Sequence, residues 1–185
     1  MMPELSLNIL DVVQNSVTAG SKLTIISIDA NTAADRLAIT VEDNGKGMTE
    51  DQVSRVTDPF FTTRTTRSVG LGIPFLKMAC ELTGGALGIE SAPGEGTTIN
   101  AVFGLSHIDR MPLGDIAGTF AALVGPSPDI DFVLNYSIDG RSFTADTRDF
   151  REILGDVSLS EPQVLSFIDS FIRENRAECD AGELI

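Results

Sequence analysis

The stretch Leu37-Ala38-Ile39-Thr40-Val41-Glu42-Asp43-Asn44-Gly45-Lys46-Gly47-Met48 decides the fold of this chain. Its first half places Leu37, Ile39 and Val41 on one face by alternation, as a half-buried strand does. Its second half contains Asn-Gly, which is a strong hairpin signal. No pairing strand follows, however, because Thr49–Val56 has the pattern of a short helix with Thr49 as its N-cap. This arrangement favours a loop that serves binding over a plain hairpin.

A helix with a polar face precedes this strand. Residues 3–19 place apolar side chains at helical spacing on one face, where Ser16 also falls, and Gly20 stands where a helix would end. The opposite face carries Glu4, Asn8, Asp11, Asn15 and Thr18. A solvated face is the ordinary explanation, but such faces are usually rich in Lys, Glu and Gln, and no Lys or Arg occurs before Lys22. The composition therefore favours a face kept for a ligand.

A third glycine motif opens a second long helix. Asp58–Val69 lacks periodicity and is rich in Thr and Arg, which predicts a loop, and Gly70-Leu71-Gly72 then begins a helix that continues to Thr83. The free N–H groups and the dipole at the start of a helix favour anions. The predicted core face of this helix consists of Leu71, Phe75, Met78, Ala79 and Leu82.

The element order up to Phe103 is α-β-β-α-α-β-β, which predicts helices on one face of a mixed sheet. Its last two strands, Ala86–Ser91 and Thr97–Phe103, are joined by the turn Ala92–Gly96. The motif Gly94-Glu95-Gly96-Thr97-Thr98 alone is equally well explained as an ordinary tight turn into a strand. The pattern changes after Gly104, so two domains are predicted, 1–105 and 106–185. The second is a small α+β extension. It begins with a helix at Asp115–Val124, followed by strands at Ile130–Ser137 and Ser142–Ala145 around an Asp139-Gly140 hairpin and by a short helix at Asp149–Leu154. A last helix runs from a capping box at Ser158–Glu161 to about Asn175, before a frayed tail, Ala177–Ile185.

Charge and composition exclude several classes of protein. Lys and Arg total 13 against 27 Asp and Glu, which gives a net charge of −14 and makes a nucleic-acid partner unfavourable. No apolar run approaches the roughly 20 residues of a membrane span. Cys80 and Cys179 are two isolated cysteines, which suit a reducing compartment better than a disulfide framework. We expect a cytoplasmic protein that acts neither on nucleic acid nor at a membrane.

The four motifs, taken in order, carry a family resemblance. Asp11-x-x-x-Asn15, Asp43-x-Gly45-x-Gly47, Gly70-Leu71-Gly72 and Gly94-x-Gly96-Thr97 together resemble the ATP-binding domain of the GHKL, or Bergerat-fold, family, shared by DNA gyrase, heat-shock chaperones, histidine kinases and MutL proteins. The resemblance covers roughly residues 1–104. It implies a two-layer α/β sandwich that binds ATP with Mg²⁺.

The resemblance also implies roles for single residues. Asn15 would hold Mg²⁺ through its side-chain oxygen. Asp11 stands where hydrolysing members have a Glu that orients or deprotonates the attacking water; it is one methylene shorter, and an intervening water would restore the reach. Asp43 would accept a hydrogen bond from the adenine amino group. The remaining residues of the base site would be Gly45, Gly47, Met48 and Thr97 or Thr98.

The resemblance implies a short lid over the phosphates. Phe60 and Phe61 would anchor its base, and Arg64 and Arg67 would supply cations. Gly70, Leu71 and Gly72 would present helix N–H groups to the phosphates. A lid this short is typical of kinase-like members.

We therefore expect a standalone histidine-kinase-like or anti-sigma-factor-like kinase or ATPase that acts on a protein partner in signal transduction. The alternative is a non-enzymatic switch, in which ATP orders the lid so that the extension docks a partner. We expect no helical hairpin with a phosphoacceptor histidine ahead of the motifs, and the single histidine, His107, is expected to pack in a connector. Phe167 and Phe171 on the last helix either pack internally or serve an interface with a partner or with a second copy in a homodimer.

Overall fold

A six-stranded mixed sheet runs through the computed structural model, which describes residues 3–58 and 72–181. The strand order is β3-β4-β2-β1-β5-β6. The elements are α1 (Leu5–Thr18), β1 (Leu23–Asn31), β2 (Arg36–Asp43), α2 (Glu50–Arg55), α3 (Gly72–Leu82), β3 (Ala86–Ala92), β4 (Gly96–Gly104), α4 (Ile116–Val124), β5 (Asp131–Ile138), β6 (Arg141–Asp146), α5 (Thr147–Leu154) and α6 (Pro162–Asp180).

The core lies between one face of this sheet and the long helices. Alternation along β1 and β2 buries Ile26, Ile28, Leu37 and Ile39 on the helix side. Helices α1 and α3 pack beside each other there, and α4 packs between α1 and α6. The predicted two-layer α/β sandwich is confirmed.

The C-terminal segment extends the same sheet. Strand β5 pairs in parallel with β1, so that Ile26 lies opposite Leu134, while the other strand pairs are antiparallel. The predicted hairpin forms at Asp139 and Gly140, whose φ angles of 49° and 83° suit a two-residue turn with left-handed residues. The predicted domain boundary after residue 105 thus falls within one continuous sheet, and the division into two domains stays a prediction.

The connector between the two halves also caps α1. The backbone N–H groups of Leu5 and Ser6 donate to the carbonyl oxygens of Pro112 and Leu113 at 3.0 and 2.9 Å. Because the first N–H groups of a helix have no partner within it, these bonds satisfy donors that would otherwise be lost on burial. His107 lies exposed in this connector, where its Nδ1 accepts from the backbone N–H of Asp109.

The predicted core face of α3 was wrong. Met78 and Leu82 are each 47% exposed, Phe75 is half-buried, and of the described members of that face only Ala79 is buried. The buried side chains are Gly72, Ile73, Pro74, Leu76, Ala79 and Cys80. Helix α3 packs against α1 as well as against β3 and β4. Its buried face is therefore rotated about the helix axis from the face that the spacing of apolar residues predicted.

Both predicted ends of α6 were also wrong. Glu161 occupies the N-cap without a side-chain cap bond, and Pro162 begins the helix, so the capping box at Ser158–Glu161 does not form. The helix continues past Asn175 to Asp180 because its end is held. The Tyr136 hydroxyl donates to Asp180, which also pairs with Arg176 at 3.2 Å.

Candidate nucleotide-binding site

Asp43 stands at the end of β2 with its carboxylate fixed from two directions. Its Oδ2 accepts a hydrogen bond from the Ser16 hydroxyl on α1 at 2.7 Å, and its Oδ1 accepts from the Gly45 N–H at 2.8 Å. A Cβ on Gly45 would lie 2.9 Å from Asp43 Oδ1 and 3.0 Å from Ala19 Cβ. Glycine is therefore required where the loop turns back over the carboxylate.

The Asp43–Gly47 loop is joined directly to the Gly94–Gly96 turn. Gly94 N–H donates to the Lys46 carbonyl at 2.8 Å. Gly47 and Gly96 both have positive φ, and a Cβ on either would come within 1.9 Å of a backbone oxygen, that of Ala92 or of Asp43 respectively. Two motifs that the sequence separates thus form one backbone unit, in which glycine is needed for close approach.

Thr97 and Thr98 lie on opposite faces of β4. Thr97 pairs with Asp43 in the strand register and is buried on the same, helix-side face. Its hydroxyl lies 2.9 Å from the Ser91 hydroxyl, which accepts the Met48 N–H at 2.9 Å. Thr98 pairs with Glu42 and points to the other face, because side chains alternate along a strand. Of the two predicted threonines, only Thr97 lies beside Asp43.

The polar face of α1 continues the site away from Asp43. Asp11 and Asn15 are both half-buried and follow each other by one helical turn. Gly72, the first residue of α3, packs on Asp11, since a Cβ there would lie 2.9 Å from Asp11 Cβ. The first turn of a helix has N–H groups without partners inside the helix, and the start of α3 lies beside Asp11, the predicted catalytic residue.

Asn8 adds an unusual group to this face. It is 0% exposed, and neither its Oδ1 nor its Nδ2 has a hydrogen-bond partner among the residues that the structure describes. A buried amide without partners costs about 1–3 kcal/mol of stability. Such a cost one turn before Asp11 supports the interpretation that this face of α1 is kept for a ligand and not for packing.

This donor set fits an Mg·ATP complex. Mg²⁺ prefers oxygen ligands and keeps several waters, so the amide oxygen of Asn15 and the phosphates suffice. The carboxylate of Asp11 lies on the same face. The missing Cβ at Gly72 leaves space against that carboxylate which a side chain would fill. Asp43, which accepts hydrogen bonds from Ser16 and Gly45, provides a fixed acceptor for an amino group.

Several predicted site residues lie outside the described part of the chain. These are Arg64, Arg67, Gly70 and Leu71, together with the predicted lid anchors Phe60 and Phe61. Their assignments stay predictions.

Sequence reasoning missed three residues of the site. Ser16 was assigned to the apolar face of α1, yet its hydroxyl holds Asp43. Ser91 bridges Met48, Gly96 and Thr97. Asn44, inside the motif, accepts from the N–H groups of Lys22 and Leu23 and so ties the loop to the start of β1. A serine among aliphatic residues was the one signal available for Ser16.

An acidic groove lies at the edge of the site. Three glutamates, Glu42, Glu90 and Glu95, line it together with Thr98, and the site residues Asp43 and Thr97 form its inner border. Phosphates would be repelled there. Between the two sides of β2, the α1 side is the one that suits a triphosphate.

Comparison with known proteins identifies the family. The family model for histidine kinase-, DNA gyrase B- and HSP90-like ATPases matches residues 3–107. This chain therefore belongs to the GHKL family of ATPase domains.

Sensor kinases are among its relatives. A putative sensor protein of Shewanella frigidimarina is 34% identical over 103 residues, which are 55% of this chain and 16% of that protein. The sensor histidine kinase ZraS of Salmonella typhimurium is 35% identical over 89 residues, 48% of this chain and 19% of the kinase. This chain thus matches less than a fifth of the length of either relative.

A solved structure shares the fold. The Aquifex aeolicus MutL ATPase domain complexed with ADP superposes with a TM-score of 0.52 at 14% identity, covering 83% of this chain and 70% of that one. At this identity the likeness concerns the fold alone. Within residues 3–58 and 72–181, no helix has the length and apolar character needed to span a membrane.

Proposed function

We propose that this chain binds Mg·ATP in the site formed by α1, the Asp43–Gly47 loop and the start of α3, and that it acts as a regulatory kinase or ATPase on a protein partner. The observation that carries the proposal is the fixed carboxylate of Asp43, held by Ser16 and Gly45. Family membership and the kinase relatives support it. Its two buried, unpaired cysteines suit a reducing compartment, so the proposal sets its action in the cytoplasm.

Asp43 would select adenine over guanine. A carboxylate oxygen accepts a hydrogen bond from the exocyclic amine of adenine, whereas guanine presents a carbonyl oxygen at that position. Two acceptors that face each other form no hydrogen bond, so the guanine oxygen would be buried without a donor, which costs about 1–3 kcal/mol. Thr97, opposite Asp43 in the sheet, would support the same edge of the base.

The α1 face would serve the phosphates. Asn15 would offer its amide oxygen to Mg²⁺, which neutralises charge on the transferred phosphoryl group. Asp11 would orient the attacking group, either directly or through a water. The beginning of α3 at Gly72 and the predicted cations Arg64 and Arg67 would offset the remaining phosphate charge. This compensation must be local, because the chain as a whole has a net charge of −14.

Calorimetric titration with ATP, ADP and GTP tests the base assignment. We expect ATP and ADP to bind far better than GTP, and Asp43→Asn to weaken ATP binding by about ten- to a hundredfold, as about 1–3 kcal/mol implies. Glu42→Gln is the matched control, because Glu42 directly precedes Asp43 in β2 and its carboxylate points to the opposite face of the sheet. Equal affinity for ATP and GTP, or equal effects of the two variants, would contradict the assignment.

The second candidate is a non-enzymatic switch in which ATP binding changes only the interaction with a partner. The shorter carboxylate at Asp11, where hydrolysing members have Glu, favours it. Incubation with γ-labelled ATP, alone and with a captured partner, separates the two. Label on a protein or release of phosphate supports the enzyme. Nucleotide-dependent partner capture without either result supports the switch.

A further inference from the structure

An aromatic patch lies where α5 meets α6. Phe150 on α5 contacts Phe167 and Phe171 on α6, with ring centroids 6.1 and 5.5 Å apart. Phe167 is nevertheless 53% exposed, and Ile153, one turn after Phe150, is 78% exposed. We call these four residues the α5–α6 patch. Phe150 fills the inner side, so the outer side of Phe167 and the whole of Ile153 face away from the core.

Acidic side chains border the patch. Glu174 and Glu178 continue the Phe167–Phe171 face along α6, and Asp149 lies one turn before Ile153 on α5. Within the described part of the chain, none of these three carboxylates has an ion-pair partner within 4.0 Å.

The arginines of the same segment are already engaged. The segment from Thr147 to Asp180 contains four arginines and eight carboxylates. Each arginine pairs with an aspartate: Arg148 with Asp146, Arg151 with Asp131, Arg173 with Asp115 and Asp169, and Arg176 with Asp180. The rim therefore presents carboxylates without available cations.

We infer that the α5–α6 patch docks a basic amphipathic helix of a protein partner. Apolar side chains of that helix would cover Phe167 and Ile153, and its Lys or Arg residues would meet Glu174, Glu178 and Asp149. An apolar patch with a charged rim is typical of such helix-binding surfaces. The inference concerns a surface outside the nucleotide site and does not depend on the proposed activity.

Charge decides between this occupant and the others. A second copy of this chain would bring the same carboxylates and a further net charge of −14 to the interface. An anionic lipid surface or a nucleic acid would be repelled for the same reason. A cationic partner is the one whose charge complements the rim.

Binding of a synthetic amphipathic helix of Leu and Lys, labelled with a fluorophore, tests the inference in nucleotide-free protein at about physiological salt. We expect the Leu/Lys helix to bind the full chain measurably. A control helix of the same length, in which Glu replaces every Lys, should not bind. Phe167→Ser should weaken binding by about tenfold or more, as loss of an aromatic anchor does. Ile108→Ser is the matched control, because Ile108 is 94% exposed and lies in the connector.

Two further variants keep the test decisive. Ile153→Ser should repeat the loss, in case Phe167→Ser disturbs folding, which a thermal melt detects. Glu174→Gln with Glu178→Gln should weaken binding and reduce its salt dependence. Equal binding by wild type, Phe167→Ser and Ile153→Ser would overturn the inference, as would equal binding of the Leu/Glu helix. A dimer in sedimentation that Phe167→Ser dissociates would show that the occupant is a second copy.

Discussion

Gly72 and Asp11 lie in direct contact, although one begins α3 and the other stands in the middle of α1. A Cβ on Gly72 would be 2.9 Å from Asp11 Cβ and 3.3 Å from Asp11 Oδ2. Two sequence motifs thus meet at one point, where the first turn of a helix lies beside a carboxylate. The missing side chain at residue 72 sets how closely α3 approaches α1.

Gly72→Ala should therefore weaken Mg·ATP binding or turnover by about tenfold, corresponding to about 1.4 kcal/mol. Alanine favours a helix over glycine by about 0.5–1 kcal/mol, so any loss reports the contact and not the propensity. Gly88→Ala is the control, because its Cβ would meet nothing closer than 3.9 Å. Calorimetry and a phosphate-release assay measure both variants. If Gly72→Ala behaves like Gly88→Ala, the approach of α3 to Asp11 does not matter for the site.

Ser16→Ala should reduce the preference for ATP over GTP. The variant removes the donor to Asp43 Oδ2, so the carboxylate is free to rotate away from the base. Ser27→Ala removes a hydroxyl from the open face of the sheet, where its partner is Asn135, and should leave the preference unchanged. Titrations with both nucleotides decide the matter. An unaltered ATP/GTP ratio in Ser16→Ala would mean that Gly45 alone fixes Asp43.

Asn15→Ala should weaken binding of Mg·ATP more than binding of ADP in the presence of a chelator. The amide oxygen is a metal ligand in the proposal, and metal-free ADP does not use it. Parallel titrations with and without Mg²⁺ give the comparison. Equal losses in both would assign Asn15 a structural role.

Asp11→Asn should leave nucleotide binding nearly intact and lower turnover, because the amide keeps the shape of the carboxylate but is a poor base. Binding is measured by calorimetry and turnover by phosphate release, with a purified mock preparation as background. Unchanged turnover above that background would remove Asp11 from catalysis.

Much of the fold could be predicted because its signals are local. The alternation of apolar residues predicted β2. Asp139-Gly140 predicted the last hairpin, because its two-residue turn needs residues that adopt left-handed backbone angles. The contact of Ser16 with Asp43 could not be predicted, since it depends on how α1 is rotated over the sheet. The α3 face was missed because α1 covers one side of that helix. The parallel pairing of β1 with β5 joins residues more than a hundred positions apart, and no local pattern encodes it.

Alkaline pH should destabilise the fold through Cys80. Burial raises the pKa of its thiol from 9.0 to about 12, so the folded state keeps the proton over a range where the unfolded chain loses it. This contribution to stability is fully present below about pH 9 and is lost as the pH rises towards about 12. Urea unfolding between pH 8 and about 11 should show a steeper loss in wild type than in Cys80→Ala. Parallel curves would rule out Cys80 as the source.

The pairing of β5 with β1 has a consequence for any shortened form of this protein. Without β5, the nine residues of β1 would become an open edge strand with Ile25, Ile26 and Ile28 within it. Such an edge, long and poor in charge, is a template for pairing between molecules. A fragment that stops at residue 105 is therefore expected to aggregate through its β1 edge, even though it contains every nucleotide-binding motif. The C-terminal segment therefore protects the β1 edge from pairing with other molecules.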